Sequence, residues 1–74
     1  MTLPERLRDL RAQSTWTLKQ LAERTELSVP FLSDIEHGRT NPSLDTLSKL
    51  ATAYGMRVTT LLMYTPYDEI GGDK

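Results

Sequence analysis

The sequence predicts an all-α fold of five short helices around one small core. Three observations lead there. Apolar residues recur at helical spacing, a capping residue stands just ahead of most apolar runs, and no stretch alternates as a half-buried strand would. Seventy-four residues sustain a single core, so any function sits on the surface of one unit.

Thr2 opens the first helix. Its hydroxyl can accept from the amide three residues on while Glu5 reaches back, and Pro4 fits a first turn that needs no amide. Leu3, Leu7 and Leu10 then share one face, whereas Gln13, Ser14 and Thr15 break the period and read as a loop. The second helix, about Leu18 to Thr25, starts from Thr17; Gln20 repeats the capping box, and Trp16 is placed to staple onto Leu21. Ser28 offers the next cap, with Pro30 in the first turn and Leu27 set to staple onto Leu32. This third helix ends near His37, where Gly38 supplies a left-handed stop. After the polar run Arg39, Thr40, Asn41, Pro42, Ser43 caps a fourth helix that buries Leu44, Leu47, Leu50, Ala51 and Tyr54, and Gly55 closes it. Val58 to Tyr64 is apolar enough for a short fifth helix. Residues 1–66 thus read as the domain, and residues 67–74, with Asp68, Glu69, Asp73 and two adjacent glycines, as a flexible acidic tail.

Composition narrows the function. The absence of cysteine removes disulfides and thiolate metal sites, and the lone His37 cannot build a zinc site, so neither metal nor cofactor is expected. The charged, amphipathic N-terminus is no secretion signal and no apolar segment approaches membrane length, which points to the cytoplasm. Ser33, Asp34 and His37 are the residue types of a hydrolytic site, but no oxyanion donors or second histidine accompany them, and the chain reads as a non-enzyme. A net charge of -1 is unusual for a nucleic-acid binder. Its distribution matters more: through Tyr67 eight Lys/Arg face seven carboxylates, and the tail supplies the acidic excess.

Two short helices joined by about three residues form the unit that DNA-binding proteins present to the major groove. The stretch TLKQLAERTELSVPFLSDIEHGRTNPSLDTLSKLATAYG, from Thr17 to Gly55, resembles the Cro and CI repressor type of helix-turn-helix domain, the xenobiotic-response-element family. The resemblance is carried by Leu21 and Ala22, by the run from Leu32 to Gly38, and by Asn41-Pro42-Ser43 leading into Leu44, Leu47 and Ala51. It implies a lambda-repressor-like domain in which helices two and three form the helix-turn-helix. The implied activity is that of a sequence-specific transcriptional regulator, most simply a repressor, bound as a homodimer to a near-palindromic stretch of double-stranded DNA. One departure stands out: the turn position usually held by glycine is Glu26, where a positive φ would cost about 1 kcal/mol.

By this resemblance the third helix turns Ser28, Val29, Pro30, Ser33, Asp34 and His37 toward base edges, while Leu32 and Ile35 face the core. These six include no Arg, Asn or Gln, the residues that grip guanine or adenine bidentately. Val29 and Pro30 suit thymine methyls, Asp34 could accept from a cytosine amino group, and DNA shape would supply part of the specificity. Phosphates would be held by the Thr17 hydroxyl, the amides opening helix two and Lys19 on one side, and by Arg39, Thr40 and Asn41 on the other. Arg11 and Glu36 would form a partly buried ion pair that is architectural. Leu61, Leu62, Met63, Tyr64 and Tyr67 are more apolar than one small core needs, which suggests a two-fold dimer with recognition helices about one DNA turn apart. The rival reading is a protein-interaction module of the same fold, an antitoxin or adaptor with a regulatory protein partner, favoured by the apolar Val29, Pro30 and Phe31 and by the acidic balance.

Overall fold

The computed structural model of the chain describes residues 1–63. Five helices follow in order: α1 (Leu3–Ser14), α2 (Leu18–Thr25), α3 (Val29–Glu36), α4 (Leu44–Ala53) and α5 (Val58–Leu62). Four of the five begin at the predicted hydroxyl caps. Thr2, Thr17, Ser28 and Ser43 each accept an amide from three residues on, and Thr2 and Thr17 complete capping boxes with Glu5 and Gln20. The hydrogen bonds from Thr2 also hold the Glu5 carboxyl below its usual range.

The first four helices end by turning left-handed. Thr15 (φ 58°), Glu26 (φ 63°), Gly38 (φ 73°) and Gly55 (φ 70°) occupy that region, so the strain foreseen at Glu26 is present. At Gly38 and Gly55 paired return bonds close a Schellman motif, Gly38 N to Ile35 O with Arg39 N to Asp34 O, and Gly55 N to Thr52 O with Met56 N to Ala51 O. The loop expected at Gln13 and Ser14 is helical instead. No glycine or proline interrupts α1 there, and the Gln13 amide donates to Asp9 Oδ2 one turn earlier, at 2.7 Å.

Leu7, Leu10, Leu21, Leu32, Ile35, Leu47, Leu50, Ala51 and Leu61 make the core. The α3 helix packs on α1 and α2, α4 on α2, and α5 on α4, so the opposite face of α3 is left to solvent. Two expectations fail. Leu44 is 72 % exposed rather than buried, because the inward stripe of α4 begins two residues later with Thr46 and Leu47. Leu61, expected on a dimer face, is 0 % exposed: it closes the core from α5, and its carbonyl accepts from Arg6 Nε of α1 at 3.4 Å. Leu62 is partly buried against the same core and Met63 is 69 % exposed, while Tyr64, Tyr67, the boundary at residue 66 and the acidic tail lie outside the described residues.

Candidate nucleic-acid interface

The two helices that carry the site are locked by a small polar device at their turn. Thr25, buried at the end of α2, donates from Oγ1 to Leu21 O at 2.8 Å and accepts from Leu27 N at 3.3 Å. Its side chain therefore satisfies backbone on both sides of Glu26, which helps hold Glu26 in its left-handed turn. Sequence reading passed over Thr25, although a threonine closing a helix and able to bond back four residues was an available signal.

On α3 the inward face holds Leu32, Ile35 and Glu36, all buried. Ser28, Val29, Pro30 and His37 are exposed and Ser33 and Asp34 half-exposed, so the six residues expected to read bases share the surface that α3 leaves open. Phe31 is turned partly inward, against the core. His37 Nδ1 lies 2.7 Å from Ser33 O and 3.4 Å from Ser33 Oγ, which ties the ring to the helix end. Asp34 is engaged elsewhere: Arg39 Nε donates to its Oδ1 at 2.9 Å, and Arg39 Nη2 reaches Ser33 Oγ at 3.4 Å. Asp34 is thus held by Arg39 and the His37 ring by Ser33.

Beside α3, the start of α2 is open. Thr17 and Lys19 are exposed; Gln20 N is taken by Thr17 Oγ1 and Leu21 N by Thr17 O. The amides of Leu18 and Lys19 precede those bonds and are the helix donors left for an outside acceptor. On the far side Asn41 is exposed and Thr40 half-buried, in the loop that links α3 to α4.

Behind the surface, α1 anchors α3. Arg11 Nε and Nη2 donate to Glu36 Oε2 and Oε1 at 2.8 and 2.9 Å, Arg11 Nη1 donates to Trp16 O at 3.1 Å, and Arg8 Nη1 donates to the Glu36 carbonyl. The bonds to Glu36 raise the Arg11 pKa above its ordinary value, so the guanidinium keeps its charge. The Trp16 ring, partly buried against the core, stacks on Tyr54 with centroids 5.4 Å apart, and Arg24 sits 4.2 Å above it. Burial beside the Glu36 carboxylate pushes the Tyr54 phenol up to about 12, with Arg11 opposing the rise.

The Helix-turn-helix family model matches residues 7–61. Over 62 residues the chain is 55 % identical to the HTH-type transcriptional regulator DdrOP3 of Deinococcus deserti, covering 84 % of this chain and 48 % of that protein. Over 62 residues it is 42 % identical to the immunity repressor protein of Bacillus phage phi105, covering 84 % and 43 %. The chain therefore spans about half the length of these curated relatives. Among solved structures, the restriction-modification controller protein C.AhdI from Aeromonas hydrophila superposes with a TM-score of 0.76 at 32 % identity, covering 80 % of this chain and 89 % of that one. The complex of SinR protein with SinI protein gives 0.76 at 31 %, covering 85 % and 62 %.

Proposed function

The chain belongs to the Cro/CI-type helix-turn-helix family, and on that premise we propose that it is a sequence-specific regulator of transcription, a repressor that binds a near-palindromic DNA operator in the cytoplasm as a homodimer. The observation that carries this reading is the division of α3 into two faces. Leu32, Ile35 and the Arg11–Glu36 pair fix one face to the core, and the other presents Ser28, Val29, Pro30, Ser33, Asp34 and His37 outward on a rigid mount. A helix so mounted enters the major groove with its N-terminal half toward base edges.

Val29 and Pro30 then lie against thymine methyls, and the groove's deformability contributes to specificity. The Thr17 hydroxyl, the Leu18 and Lys19 amides and the Lys19 ammonium hold phosphates on one flank, and Thr40 and Asn41 hold them on the other. Two copies dimerise through the end of α5, where Leu62 and Met63 continue toward Tyr64 and Tyr67, and their recognition helices fall about 34 Å apart. The family's regulators and repressors support this role, which needs neither metal, cofactor nor catalytic residue.

A second reading keeps the fold and exchanges the ligand, so that α3 docks a regulatory protein. The exposed, apolar Val29 and Pro30 on α3 favour a protein contact there, and one structural neighbour is a complex of two proteins. Selection of bound sites from random duplex DNA separates the two. An enriched inverted repeat supports the regulator; no enrichment, with tight binding of a protein from the same host, supports the adaptor.

A further inference from the structure

The Schellman motif that ends α3 has a polar pair where such motifs usually place a hydrophobic contact. Its two return bonds, Gly38 N to Ile35 O at 3.1 Å and Arg39 N to Asp34 O at 2.8 Å, bring the side chains of residues 34 and 39 together. Here they are an aspartate and an arginine, paired at 2.9 Å. Arg39 is thereby drawn out of the loop, where a phosphate contact was expected, and laid along the outward face of α3.

We propose that Arg39 reads a guanine in each half-site and that Asp34 is a positioning residue for it, an inference that rests on the DNA-binding function above. The guanidinium has two usable edges. The Nε–Nη2 edge is engaged by Asp34 Oδ1 and Ser33 Oγ. On the Nη1–Nη2 edge, Nη1 has no bond among the described residues and Nη2 keeps its second N–H beside the one directed at Ser33 Oγ, and the side chain is 57 % exposed. That outer edge presents the parallel N–H pair that spans guanine O6 and N7.

Charge separates this role from phosphate binding. Asp34 offsets most of the field of Arg39, and pulling Arg39 away to a phosphate would leave a bare carboxylate beside the polyanion. A guanine edge offers two neutral acceptors, so the pair stays intact while it is read. The pairing also fixes a long side chain before encounter, which lowers the entropic cost of binding. No other residue on this surface fills the role: Ser28, Val29, Pro30, Ser33 and His37 include no side chain that grips a purine with two parallel bonds in this way.

The test is site selection from random duplexes with the full chain and with Arg39→Lys, Arg39→Ala, Asp34→Ala and Asp34→Asn, followed by anisotropy titrations of the enriched site and of duplexes with each G·C pair replaced. Arg39→Lys keeps the charge and loses the fork. It is expected to lose preference at one symmetric G·C position by roughly ten- to a hundredfold, with the other positions and the salt slope unchanged. Asp34→Ala relaxes the same position, and Asp34→Asn, whose amide oxygen still accepts from Nε, restores part of the preference. If Arg39→Lys reads the same site as the parent, or if Arg39→Ala weakens all duplexes alike and flattens the salt slope by about one, Arg39 is a phosphate contact and the inference is overturned. If the parent chain itself enriches no sequence, the DNA-binding reading falls and this inference with it; the parent arm alone distinguishes that failure.

Discussion

The Glu36 side chain is 4 % exposed, and both carboxylate oxygens accept from Arg11, whose side chain is 26 % exposed. The two halves of this pair are therefore unequal. Replacing Arg11 with methionine keeps much of the aliphatic stem and strands a buried carboxylate, for which a loss of about 3–5 kcal/mol is expected. Replacing Glu36 with glutamine keeps volume and one acceptor, and the guanidinium can still reach solvent and Trp16 O at 3.1 Å. That loss should be about 1–3 kcal/mol. At roughly 4–8 °C per kcal/mol for a domain of this size, Arg11→Met melts at least about 12 °C below the parent chain and Glu36→Gln by much less. The double variant should fall short of the sum by about 1–3 kcal/mol, because the charge that Arg11→Met strands is no longer there. Urea unfolding followed by circular dichroism and by Trp16 fluorescence measures all four chains, and Trp16 reports from beside the pair. Equal losses for the two single variants, with an additive double, would refute the argument.

Tyr54 Oη is buried without a hydrogen-bond partner among the described residues. Tyr54→Phe should leave neutral-pH stability unchanged or raise it by up to about 1 kcal/mol in urea melts, and a clear loss would contradict this. The folded phenol is held at about 12 against an ordinary 10.0, so the unfolded chain ionises first. The resulting stabilisation is complete below pH 10 and fades as pH rises toward 12; the parent chain should lose stability over that window more steeply than Tyr54→Phe. Glu26→Gly relieves a side chain at φ 63° and should stabilise by about 1 kcal/mol in thermal melts, whereas a lower melting temperature would mean that the Glu26 side chain has a role of its own. Met63→Asp places a charge on the exposed end of α5. It should shift sedimentation toward the monomer and weaken operator binding while the melting temperature of the monomer holds, and an unchanged dimer would remove Met63 from the interface.

The parts of the fold legible in the sequence are the ones written locally. Thr2 with Glu5, Thr17 with Gln20, Ser28 with Pro30, and Gly38 and Gly55 mark starts and stops within a turn of where they act, and local chemistry decides them. Leu44 and Leu61 were misread for a shared reason: an apolar residue on a short helix does not reveal which side has a neighbour, and only the packing of α4 and α5 turned one outward and the other fully in. The six candidate base-reading residues were accessible from pattern and resemblance together. The partnership of Asp34 and Arg39 was not, because the two are five residues apart across a helix end, and they meet only after Gly38 turns the chain back at φ 73°. The stack of Arg24, Trp16 and Tyr54 was hidden likewise, since it joins α2 to the end of α4 across the sequence.

Recognition of a DNA sequence by the open face of α3 shows most plainly when the selected duplex and a scrambled one are titrated over a range of salt concentrations. The selected site is expected to bind about a thousandfold or more tighter than the scrambled one, with both affinities falling linearly in the logarithm of salt as phosphate contacts release counterions. Equal affinity for the two duplexes, or binding indifferent to salt, would contradict it.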